Sequence, residues 1–124
     1  MGYYLDLIDY SVKIKASSFA PALDAVKKSF PKYEKLQAIT NFPEAMSYLY
    51  YNPEFDNDGN ICGFIFEDEK PCDDHEFLCA VAPFVEKGSY IEVMGKNYTH
   101  WRWIFKNNQC YKVFPTIIWE GTST

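Results

Sequence analysis

Arginine is nearly missing from this chain: Arg102 stands alone, and every other basic residue is lysine. Twelve basic residues face seventeen acidic ones, for a net charge of -5. Such a surface repels phosphate backbones, so direct nucleic-acid binding is disfavoured. Long uncharged apolar runs are also absent, and no membrane span is expected. The start, Met1-Gly2-Tyr3-Tyr4-Leu5-Asp6, has no basic n-region and no apolar h-region. Asp6 stands where a myristoylation signal wants Ser or Thr, so the expected setting is cytoplasmic. Histidine is scarce, at two residues, and there is no Gly-x-Ser-x-Gly turn or cysteine-centred motif to pair a nucleophile with a base. The six glycines form no phosphate cradle. These absences lead to an expectation of no enzyme and no cofactor.

What is abundant is aromatic surface. Aromatics make up 19% of the chain, with ten Tyr and ten Phe, and hydrophobic residues 48%. A chain this apolar can offset the entropy of ordering, and 124 residues make one domain, taken as 1–124. Residues 3–15 read as extended chain, with Asp9-Tyr10 as the turn of a hairpin and Val12 and Ile14 alternating with polar neighbours. Ser17-Ser18 offers a cap for a helix carrying Leu23, Val26 and Phe30, and residues 32–39 form a second short helical piece. Asn41-Phe42-Pro43-Glu44 starts another helix with Ala45, Met46, Leu49 and Tyr50 on one face, broken at Asn52-Pro53. Ile61–Phe66 reads as a buried strand after an acidic turn. Asp73-Asp74-His75-Glu76 is a capping box, and Gly88 sits where a cap ends the helix. From Ser89 on, strands at 90–94, 101–105, 111–113 and 117–119 make an antiparallel meander with turns at 95–97 and Asn107-Asn108. The resulting class is α+β: a mostly antiparallel sheet with about three helices on one face, in the order ββααβαβββ.

Chemistry-bearing residues are few. Cys62, Cys72, Cys79 and Cys110 are expected to be reduced, buried structural thiols. Cys72, His75 and Cys79 stand as C-x2-H-x3-C, but a zinc site needs four ligands or three and water. Cys62, Cys110 and His100 lie in other elements without paired spacing, so no metal is expected. Glu54, Asp56, Asp58 and Gly59 resemble part of a calcium loop, but Ile65 occupies the position that requires a bidentate Glu. Charge is concentrated in residues 54–76, where nine carboxylates face Lys70 alone. On a strand 101–105, Trp101, Trp103 and Phe105 share one face and Arg102 the other. The plain reading makes that aromatic face core, with Arg102 outside and paired to Glu92 or another carboxylate. The sharper one makes it a recognition surface.

The chain resembles a family of small bacterial and phage-borne proteins. The likeness lies in the Met1-Gly2-Tyr3-Tyr4 start, Asp58-Gly59-Asn60-Ile61, Phe66-Glu67, Glu69-Lys70 and Asp73-Asp74. It continues through the run from Ala82-Pro83-Phe84-Val85 to Ser89-Tyr90-Ile91-Glu92, Trp101-Arg102-Trp103-Ile104-Phe105 and Ile117-Ile118-Trp119-Glu120. Gly95-Lys96-Asn97-Tyr98 departs from the acidic glycine turn typical of the family, so a carboxylate role there does not carry over. The resemblance implies a mobile-element context and an intracellular protein. The expected function is a non-enzymatic binding protein, an inhibitor or counter-defence protein of a phage or prophage. Glu67, Asp68, Glu69, Asp73 and Asp74 would contact a basic protein partner. The alternative is a binder of a nucleotide-derived signal through Trp101, Arg102 and Trp103, between subunits of a homo-oligomer.

Overall fold

The computed structural model describes residues 6–66, 73–95, 98–116, 118–119 and 121. Strand β1 (Asp6–Ser11) is followed by helices α1 (Phe19–Ser29), α2 (Glu34–Gln37) and α3 (Phe42–Tyr48), then strands β2 (Tyr51–Phe55) and β3 (Ile61–Phe66). Helix α4 (Asp74–Val81) leads into strands β4 (Tyr90–Met94), β5 (His100–Lys106) and β6 (Gln109–Val113). Four strands form an antiparallel sheet in the order β1-β4-β5-β6, and β2 and β3 form a separate hairpin. The protein is an α+β domain. Among the described residues, no helix is long and apolar enough to cross a membrane.

Local chemistry explains the starts of α3 and α4, whereas Ser18, the expected cap of α1, stands at its N-cap without a side-chain cap bond. The Asn41 side chain accepts from Glu44 N–H at 2.9 Å and returns a bond to the Glu44 carboxylate at 3.1 Å, so α3 begins with a reciprocal cap. Asp73 Oδ1 accepts from the N–H groups of His75 and Glu76, which starts α4 where the capping box was expected. Asn107 and Asn108 both have positive φ and close β5 onto β6, a conformation that asparagine tolerates. Alternation along β5 buries Trp101, Trp103 and Phe105 and leaves Arg102 exposed.

Four expected elements differ, the first being α4, which ends at Val81 and passes into a 3-10 turn over Ala82–Phe84 instead of running to a cap at Gly88. The chain runs straight through Asp9-Tyr10 as a single bulged strand against β4, because that pair is a weak turn former. Ile14 makes only isolated bridges, to Ile61 and Val85. Asn52-Pro53 ends no helix; it lies inside β2, where Tyr51 and Phe64 have a core to enter. Ile118 and Trp119 are in no strand and are exposed, Pro115 having left the ladder at Val113; Ile117 lies outside the described residues.

The hairpin is clamped onto the sheet at Gly63. A β-carbon there would lie 2.3 Å from Tyr10 Cε2 and 2.8 Å from Glu54 Oε1. Tyr10 is held in place by donating its hydroxyl to Glu54, a bond that raises the phenol's pKa above its ordinary value. Gly63→Ala is therefore expected to cost about 1–3 kcal/mol in denaturant unfolding, as overpacking does. An unchanged midpoint would mean that Tyr10 moves aside freely.

Candidate functional site

Three places in the fold bring chemistry-bearing side chains together. On the outer face of the sheet, the ladder sets Glu92 opposite Arg102 and Met94 opposite His100. Glu92 accepts from Arg102 Nε at 2.6 Å and pairs with His100 Nε2 at 2.8 Å. These two bonds, Arg102 first, hold the Glu92 carboxyl below the usual glutamate range. Arg102 also lies 4.9 Å from the centre of the Tyr90 ring, whose hydroxyl donates to Asp9 at 2.8 Å. A groove of about 460 Å³ runs beside this cluster, lined by Trp101, Val113, Phe114 and Pro115 among others. The expected pairing of Arg102 with Glu92 is what the structure shows.

The aromatic face of β5 is core. Trp103 is 2% exposed and Trp101 9%, so their rings offer no open stacking platform to a ligand. That corrects Trp101 and Trp103 as ligand-stacking residues: on a half-buried strand the face opposite the lone arginine went under the helices. Trp101 keeps one polar feature, since its Nε1–H has no hydrogen-bond partner among the described residues. Lys112 Nζ sits 4.3 Å from its ring centre.

The acidic segment divides. Glu67, Asp68 and Glu69 lie outside the described residues. Asp73 is exposed and spends one oxygen on the α4 cap. Asp74 is fully buried and accepts from the Tyr51 hydroxyl. This corrects Asp74 as a partner-contact residue: it is the first residue of α4, on the side facing the hairpin, and its carboxyl serves the interior. Asp56 is likewise committed. It accepts from the N–H groups of Asp58 at 2.9 Å and Asn60 at 3.0 Å, which closes the turn around Gly59 (φ +80°). Partial burial opposes them, but these bonds hold Asp56 below its ordinary pKa. Around this turn the hairpin exposes Phe55 and Ile65, each 50%, with Tyr50 at 47% just before β2. The expected face of α3 included Tyr50; its positive φ of 69° turns it outward instead.

The third place joins α4 to β6. His75 and Cys79 lie one turn apart, and Cys110 faces them from β6, where it pairs with Phe105. His75 Nε2 is 3.5 Å from Cys79 Sγ, and Trp103 Nε1–H donates to His75 Nδ1 at 3.2 Å. Partial desolvation of its sulfur pushes the Cys79 thiol up, and burial pushes the Cys110 thiol up to about 12. Cys62, Cys79 and Cys110 are free thiols, as expected, but Cys62 and Cys79 are exposed, which corrects the expectation of burial. Cys72 lies outside the described residues. Cys110 was invisible as a partner because thirty-one positions separate it from Cys79, and only strand register brings it across.

Comparison with protein-family models, curated proteins and solved structures finds no match to this chain. Function has to be argued from its own geometry.

Proposed function

We propose that this chain is a non-enzymatic binding protein that docks a protein partner with a basic surface through the β2–β3 hairpin. The observation that carries this reading is the set of half-exposed apolar side chains Tyr50, Phe55 and Ile65 on and beside that hairpin. An apolar centre with a charged rim is the usual anatomy of a protein interface. Here the rim is acidic. Of the hairpin's carboxylates Asp58 is exposed, while Glu54 and Asp56 are part-buried and bonded within the fold; in sequence, residues 54–76 hold nine carboxylates, Asp74 among them buried, against one lysine. Such a surface attracts a basic partner and speeds encounter. An inhibitor or counter-defence protein of a phage or prophage would work in this way, by occupying a basic surface on its target.

The test uses a partner captured by the wild-type chain from its own source. Asp58→Lys should slow association and flatten its salt dependence, since rim charges act on encounter. Phe55→Ser with Ile65→Ser should speed dissociation by about 10- to 100-fold, the loss of two apolar anchors. A partner whose binding is indifferent to all three substitutions, or to salt, overturns the proposal.

A small anionic ligand in the groove beside Arg102, of nucleotide-derived type, is the second reading. It is favoured by the groove itself, which Arg102 and His100 line beside the exposed Phe114. Arg102 has five N–H donors and gives one to Glu92. Glu92 already offsets its charge, which places this reading second.

A further inference from the structure

We propose that His75, Cys79 and Cys110 form a binding site for a soft divalent metal of the zinc class, with two thiolates and one imidazole as ligands. Their ligand atoms all lie within 4.8 Å of one another. Metal–ligand bonds of about 2.0 Å to nitrogen and 2.3 Å to sulfur put tetrahedral neighbours about 3.5–3.8 Å apart. The His75 Nε2 to Cys79 Sγ separation of 3.5 Å already has that value. His75 and Cys79 are exposed on α4, so an ion can enter, and small rotations of their side chains suffice to close on Cys110. Sulfur in two of three positions selects zinc-like ions over magnesium or calcium, which take oxygen. Three protein ligands leave the fourth position to water, the arrangement of an open zinc site.

Entry of the ion forms two metal–sulfur bonds and one metal–nitrogen bond, and the two thiol protons leave to solvent. Because Trp103 donates to Nδ1, Nε2 is the nitrogen that carries the imidazole hydrogen. Coordination through Nε2 therefore moves that hydrogen to Nδ1 and breaks the Trp103–His75 bond. A buried indole thus reports directly on metal binding, at the expense of one ordinary hydrogen bond.

The measurement is a Co2+ titration of the full chain, metal-depleted and kept reduced by a phosphine. One Co2+ per chain should bind with sulfur-to-cobalt charge-transfer absorption, be displaced by Zn2+, and change the tryptophan fluorescence. Cys79→Ser alters an exposed side chain and should leave the fold intact; His75→Ala also removes the acceptor of the Trp103 indole, so circular dichroism and urea unfolding check its fold before the metal comparison. Each should weaken Co2+ binding by at least about 100-fold, since losing a ligand exceeds the 10- to 100-fold cost of losing its supporting shell. Cys62→Ser, on the exposed face of β3, should bind as the wild type does. Absence of the sulfur–cobalt band, or wild-type affinity in Cys79→Ser and His75→Ala, overturns the site. So does a Cys79–Cys110 disulfide forming in oxidant while the reduced chain takes up no metal.

Discussion

Trp103→Ala is expected to cost about 3–5 kcal/mol of folding free energy, the range for emptying a buried aromatic site. Trp103 is among the largest fully buried side chains, and its ring meets Trp101 edge-on with centroids 5.6 Å apart. It also fastens two layers, because its Nε1–H reaches across to His75 on α4. Domains of this size hold only about 5–15 kcal/mol in total, so the variant should melt on the order of 10 °C or more below wild type. Trp103→Phe separates the two contributions: it keeps an aromatic ring in the core and removes the bond to His75. Urea unfolding should give it a smaller loss than alanine. Equal midpoints for Trp103→Ala and wild type would mean that the inner face of β5 carries none of the core.

The same residue shows what could be read in advance and what could not. Alternation in Trp101-Arg102-Trp103-Ile104-Phe105 fixes which side chains share a face, and the solitary arginine marks the wet one. Caps at Asn41 and Asp73 were legible because capping is a local matter of four residues. Strand β2 was not legible: Asn52-Pro53 is a poor strand by propensity, and only the pairing of Tyr51 with Phe66 and Pro53 with Phe64 makes it one. Sites built across elements were hardest. Glu92 with Arg102 could be guessed from neighbouring strands, whereas Cys110 joins His75 and Cys79 through the packing of α4 on β6. Asp74 misled for the same reason. Its neighbours are acidic, yet helix phase turns it inward, and composition carries no phase.

Asp74 and Tyr51 give the second large effect. Tyr51 is fully buried, stacks on Phe77 at 4.2 Å and donates its hydroxyl to Asp74. It thereby ties β2, at the start of the hairpin, to the first turn of α4, twenty-three positions further on. Tyr51→Ala removes both ring and hydroxyl and should cost about 3–5 kcal/mol. Tyr51→Phe keeps the stack and deletes only the bond, so about 1–3 kcal/mol is expected, the cost of taking a donor from a buried acceptor. A double-mutant cycle tests the assignment. Combined with Asp74→Ala, Tyr51→Phe should add less than it costs alone, by about 0.5–3 kcal/mol of coupling. Strict additivity would mean that the hydroxyl and carboxyl do not share this energy. Coupling of the expected size would make the pair a clamp that holds the hairpin to α4. If the hairpin docks a partner as proposed, Tyr51→Phe should also weaken that binding while leaving the exposed Phe55 and Ile65 in place.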